Sequence, residues 1–161
     1  SPYVPHLDGT YCTSYFMRLS MRSDYGVRAL THLAMHHGHG PIQSADVARH
    51  MAIPPVYLDQ VFIALRKAGL VRSTRGPQGG HELSRGPDAI TMCDVVQALE
   101  GTMAILDCLD NTSSCTLADT CSQRPVWIRV RRAVLSALED VNLADLASDM
   151  GKARQRPAYS I

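Results

Sequence analysis

The stretch LRKAGLVRSTRGPQGGHEL, residues 65–83, decides the fold. Its start closes an apolar stripe of Leu58, Val61, Phe62 and Leu65, which recurs at helical spacing, and Gly69 is a C-terminal stop. LVRST and GHELS then flank GPQGG, a turn dense in glycine and proline, and the pattern reads as a β-hairpin. Arg72, Arg75 and Arg85 place positive charge on or beside it. A basic hairpin directly after a helix has the outline of a wing.

Two more helices precede that one. SDYGVRALTHLAMHHG, residues 23–38, carries Val27, Leu30, Ala34 and Met35 at helical spacing, with Ser23 as expected N-cap and Gly38 as stop. His32, His36, His37 and His39 crowd its end and read as a basic helix terminus rather than a metal site. QSADVARHMAI, residues 43–53, is a short helix capped by Ser44, with Val47, Ala48 and Met51 inward. In the helix stopped by Gly69, IPPVYLDQVFIALRKAGLV, a proline suits the first turn, where its missing N–H costs nothing. Helix, helix, helix, hairpin is the order of a winged helix-turn-helix, whose last helix enters a major groove while the wing reaches backbone or minor groove.

Charge agrees with that reading. The chain of 161 residues has a net charge of +1. From Met17 to Pro87, however, nine Arg or Lys face four Asp or Glu, whereas from Asp88 to Met150 four face ten. A basic half joined to an acidic half points to an anionic partner for the first. Hydrophobic residues make up 45% and aromatics 6%, so aliphatic helices supply the core of a mainly α protein. No run of eighteen apolar residues suggests a membrane span.

After the hairpin, PDAITMCDVVQALEG, residues 87–101, reads as a helix with Ile90, Val95, Val96 and Leu99 apolar and Cys93 a buried small hydrophobe. RPVWIRVRRAVLSALEDV, residues 124–141, is a long amphipathic helix whose apolar surface, Val126, Ile128, Val130, Val134, Leu135 and Leu138, is wider than a small domain needs. It calls for a second subunit. NLADLASDM begins a last helix capped by Asn142. The expected organisation is a non-native or disordered extension over 1–16, a winged helix-turn-helix domain over 17–87, a cysteine loop with dimerisation helices over 88–150, and a disordered tail over 151–161.

Between the helices over 87–101 and 124–141 lies CLDNTSSCTLADTC, residues 108–121, a polar loop with three of the five cysteines. Six residues separate Cys108 from Cys115, and five separate Cys115 from Cys121. Three thiols do not pair evenly into disulfides, and the tight C-x-x-C pairs of structural zinc are missing. Soft thiolates spread along a flexible loop suit an iron–sulfur cluster first, zinc second and a thiol redox switch third. No Ser–His–Asp, Cys–His or paired-carboxylate arrangement is identifiable, so no enzymatic activity is expected; a cluster-bearing electron carrier would not need the basic wing.

Taken in order, MRLSMRSDYGVRAL (17–30), LRKAGLVRSTRGPQGGHEL (65–83), AITMCDVVQALEG (89–101), the cysteine loop and VWIRVRRAV (126–134) resemble the Rrf family of bacterial regulators, the IscR- and NsrR-like proteins. The resemblance covers roughly 17–150. It implies a cytoplasmic homodimeric transcription factor, in the main a repressor, that senses redox state, nitric oxide or iron–sulfur status at a pseudo-palindromic DNA operator, with no membrane partner. It implies Cys108, Cys115 and Cys121 as cluster ligands. IscR-like members supply a histidine three residues after the last cysteine; here Arg124 stands there and cannot bind iron. NsrR-like members use an aspartate near the start of the first helix of the partner subunit, which matches Asp24. Three thiolates and one oxygen favour a four-iron cluster, with a two-iron cluster as the alternative.

By the same resemblance, Val56, Tyr57, Asp59 and Gln60 face the major groove. Gln60 is suited to adenine and Asp59 to the cytosine amino group, and Arg75 reaches a narrow minor groove. Ser44, Arg66, Lys67 and Arg72 are implied phosphate contacts. Regulation through thiols or zinc without a cluster stays open beside this reading.

Overall fold

A computed structural model describes residues 19–101, 106–111, 113, 115–117 and 119–155. The expected extension over 1–16 and the end of the chain from 156 lie outside the described residues. Among the described residues, seven α-helices and a two-stranded hairpin follow in order. They are α1 (Met21–Met35), α2 (Ser44–Met51), α3 (Pro55–Lys67), β1 (Val71–Thr74), β2 (Gly80–Leu83), α4 (Met92–Glu100), the single turn α5 (Asp107–Asp110), α6 (Arg124–Glu139) and α7 (Leu143–Gln155). The fold is the mainly helical winged helix-turn-helix that the sequence led us to expect.

Helix α1 begins three residues earlier than expected. Ser20 is its cap and accepts the Ser23 N–H, so Ser23 sits within the first turn and is buried. Helix α2 likewise starts at Ser44, with Gln43 in the capping position. At α1 two serines three residues apart could each cap; at α2 the Ser44 hydroxyl is bonded to His81 instead, and Gln43 caps without a side-chain bond. Thr91 caps α4 through a reciprocal pair with Asp94, and Asn142 does the same for α7 with Asp145.

The apolar stripes meet as the sequence requires. Leu30, Ala34, Val47, Met51, Leu58, Val61, Phe62 and Leu65 join one core with Leu70, Val71 and Leu83 of the hairpin. That core does not stop at Pro87. Ile90, Val95, Leu99 and Leu143 belong to it, and α4 and α7 both pack on α1. A short antiparallel bridge fixes the return: Met92 donates to the Val141 carbonyl at 2.8 Å and Leu143 to the Ile90 carbonyl at 3.0 Å. Helix α7 also runs through Gly151 to Gln155, past the expected end of order at Met150. Lys152 and Ala153 are good helix formers, and Lys152 pairs with Asp149 one turn back.

Helix α6 stands apart. None of its 16 residues is buried. It leans on α4 and α5, and Val126 is 54% exposed. No described helix is long and apolar enough to cross a membrane.

Candidate nucleic-acid interface and cysteine loop

The helical period of α3 sorts its residues onto two faces. Leu58, Val61, Phe62 and Leu65 turn into the core. Val56 is 72% exposed and Tyr57 59%, and Asp59, Gln60, Arg66 and Lys67 are exposed as well. The four residues expected to read base edges therefore share the solvent side of one rigid helix. Tyr57 is not a core residue; its ring lies 6.1 Å from that of Tyr25. Ile63, 55% exposed, lies two turns beyond Val56 on the same side. Sequence reading passed over it, although an apolar residue outside the core stripe was the signal.

The hairpin stands beside that face. Its strands pair antiparallel from Val71↔Leu83 to Thr74↔Gly80, leaving Arg75 to Gly79 as the tip. Two glycines are forced by close approach. A β-carbon on Gly79 would collide with the Thr74 carbonyl oxygen, and one on Gly80 with the Ile42 carbonyl oxygen. Arg75 at the tip is exposed and makes no ion pair among the described residues. Arg72 is exposed, but one guanidinium nitrogen donates to the Ser84 carbonyl at 2.9 Å. Arg85 pairs with Asp94 at 3.0 Å, so its charge is largely spent within the fold. Ser44 is half-buried and its hydroxyl is bonded to His81 Nε2 at 2.9 Å, which leaves it the least free of the expected phosphate contacts.

The cysteine loop is anchored at both ends. Leu109 of α5 is buried, and Asp110 is held by Arg131 of α6 at 2.5 Å. Cys108 lies on α5, and the Cys121 carbonyl accepts the Arg124 N–H at the start of α6. Cys108, Cys115 and Cys121 are all free and half-buried. Cys93 is buried in α4; burial first, then Glu139 and Asp94, push its thiol above the ordinary range. It is thus set apart from the other three as a packing residue.

Asp24 lies on the first turns of α1, where Arg28 holds it in a two-pronged pair at 2.6 and 3.2 Å. Among the described residues, no three His, Cys, Asp or Glu side chains stand together closely enough to hold a metal ion. The His32, His36 and His50 rings pack at 4.6 and 5.1 Å without forming one either. The loop thus offers the donors a cluster needs, three free and accessible soft thiols, but a single chain does not converge them with Asp24.

The Rrf2 family, described as an iron-dependent transcriptional regulator, matches residues 19–149. The regulator CymR of Bacillus subtilis is 37% identical over 132 residues, spanning 82% of this chain and 91% of its own. Its solved structure, that of the global cysteine regulator of B. subtilis, superposes with a TM-score of 0.69 over 83% of this chain and 98% of its own. The structure of IscR from T. potens superposes with a TM-score of 0.71 at 31% identity, over 91% of this chain and 98% of its own.

Proposed function

The chain belongs to the Rrf2 family of DNA-binding transcriptional regulators, and on that footing we propose that it acts as a homodimeric, cluster-sensing repressor. The reading is carried by the exposed face of α3, which presents Val56, Tyr57, Asp59 and Gln60 beside a wing with Arg75 free at its tip. Those four residues read base edges in the major groove. Arg75 enters the adjacent minor groove. Arg66, Lys67 and Arg72 hold phosphates and give the binding its salt dependence, joined by Ser44, whose hydroxyl can accept from His81 and still donate its own proton to a phosphate. Two such heads related by a twofold axis match a pseudo-palindrome with half-sites about one helical turn apart. The uncovered apolar side of α6 is the face that a second copy would bury.

Cys108, Cys115, Cys121 and Asp24 of the partner subunit would hold the iron–sulfur cluster, four-iron in preference to two-iron. When bound, it supplies a link that nitric oxide, oxygen or iron shortage can break. The chain's own part is mechanical. Leu109 and the Arg131–Asp110 pair transmit the position of Cys108 to α6. Asp24 must exchange Arg28 for its new partner, which makes it the weak and replaceable ligand. Since Asp24 sits on the first helix of the reading head, ligation fixes the angle between two heads. A coupling of about 1–3 kcal/mol would suffice for a switch.

Reconstitution under anaerobic conditions, followed by operator binding at one fixed salt concentration, tests this. Holo protein should bind more tightly than apo protein and lose the difference on adding nitric oxide; equal affinities refute it. A second reading, direct sensing through the thiols without a cluster, is favoured by Cys108, Cys115 and Cys121 being free and half-buried. Colourless, iron-free protein from air-protected cells that still binds its operator would select it.

A further inference from the structure

His81 is held on four sides. Its ring stacks on Phe62 of α3 with centroids 3.8 Å apart and an angle of 11° between planes. Its Nε2 is 2.9 Å from the Ser44 hydroxyl of α2, and its Nδ1 is 2.8 Å from the Ser73 hydroxyl of β1. Its backbone exchanges two hydrogen bonds with Ile42, at 2.8 and 2.9 Å, just before α2. The recognition helix, the helix before it and both wing strands therefore meet at one side chain. Nearby, Gln43 donates to the Pro77 carbonyl at the wing tip at 3.3 Å, a weaker tie in the same direction.

A β-hairpin of four-residue strands has little rigidity of its own. Something must set its angle to α3 if Arg75 is to reach a minor groove while α3 lies in the adjacent major groove. Phe62 is fixed in the core, so the stacked ring is referenced to α3 itself.

We propose that His81 is the positioning residue that sets the wing against the recognition helix, and that it does so as a neutral imidazole. One ring nitrogen then donates to one serine and the other accepts from its counterpart. Burial first, and then the Arg66 guanidinium on α3, press its pKa below the ordinary histidine value, against the opposing pull of Asp59 on the same helix. Helix α2 and strand β1 meet it with the Ser44 and Ser73 hydroxyls. Proton uptake leaves a desolvated charge beside the Arg66 guanidinium, and relief comes from the ring moving out to water, which releases the wing.

The proposal rests on the DNA-binding reading, and its test separates the two. The probe is a duplex selected from a random library by the wild-type protein, titrated at fixed salt between about pH 5.5 and 8, the span in which histidine titrates. His81→Phe keeps a ring on Phe62 and removes both hydroxyl bonds. It should bind about tenfold more weakly at pH 8, as expected for two lost hydrogen bonds. The wild-type protein should lose affinity, relative to that variant, as pH falls. Ser73→Ala, on an exposed strand, removes one bond without touching the core and should cost about threefold. Wild-type affinity in either variant, or a pH profile of His81→Phe that superposes on the wild-type curve, overturns the positioning role. Failure of the wild-type protein to select any duplex takes down the proposed function instead.

Discussion

Ser23 and Glu100 join the start of the first helix to the end of the fourth. The Ser23 hydroxyl donates to Glu100 Oε1 at 2.5 Å, and the Ser20 hydroxyl and N–H reach the same oxygen at 2.6 and 3.0 Å. Glu100 precedes Gly101 and the cysteine loop, and Asp24 follows Ser23 on α1. The knot therefore ties the turn that carries Asp24 to the point where the loop departs. Burial opposes ionisation of Glu100, but hydrogen bonds from Ser20 and Ser23, with the charge of Arg22, outweigh it and hold its carboxyl below the ordinary value.

Glu100→Ala should lower stability by about 1 kcal/mol, since bonds to a charged acceptor are discounted here by exposure. The folded carboxyl is the stronger acid, so its contribution is present above the ordinary glutamate range and lost as pH falls through the depressed folded value. Chemical denaturation at neutral and acid pH checks this: the gap between wild type and variant should close on acidification. If the tie also serves the reading heads, the variant will show a smaller difference between holo and apo operator affinity.

Gly79→Ala forces a β-carbon onto the Thr74 carbonyl oxygen at the wing tip. The hairpin is peripheral, so the thermal midpoint should hardly move, while operator affinity falls about tenfold as Arg75 is redirected. Differential scanning calorimetry and anisotropy on the same samples check the two halves.

Reactivity should divide the thiols. With native apo protein, an alkylating reagent should modify Cys108, Cys115 and Cys121, which are half-buried and free, and spare Cys93, whose thiol is buried and harder to ionise. Peptide mass mapping over a time course reads this directly. Loading with iron and sulfide should protect the three together.

Leu143→Ala removes a fully buried side chain from the core shared by both ends of the chain, and should cost about 2–5 kcal/mol. Because α7 packs on α1, operator binding and helical signal should be lost at one urea concentration. Separate transitions would mean that the reading head folds by itself.

Ile128→Asp with Leu135→Asp puts two charges on the half-buried apolar stripe of α6. Sedimentation should find the wild-type protein at twice the chain mass and the variant at the chain mass, with helical content kept, since neither side chain is buried within one chain.

The head was legible in the sequence because its signals are local and agree with one another. The stripe of Leu58, Val61, Phe62 and Leu65 fixed the face of α3, and GPQGG between two short alternating runs fixed the wing. Ser23 was taken for the cap because it offers the same hydroxyl as Ser20 three residues on; in the fold Ser23 is buried and turned to Glu100, and Ser20 accepts its N–H. His81 was invisible for another reason. In GHEL it reads as an ordinary strand residue, and its partners Ser44 and Phe62 are brought to it only by the fold. The cysteine loop shows the opposite case, where residue type suggests thiol chemistry but, among the described residues, no three such ligands stand together.

The bridge between Thr91 and Asn142 makes the intervening fifty residues an excursion from a closed ring. The core that carries the wing and α3 is therefore closed by a residue from near the far end of the chain, Leu143. Helix α4 within that excursion belongs to the shared core, so a change of length there is confined to the stretch between Gly101 and α6, which can vary without moving the bridge.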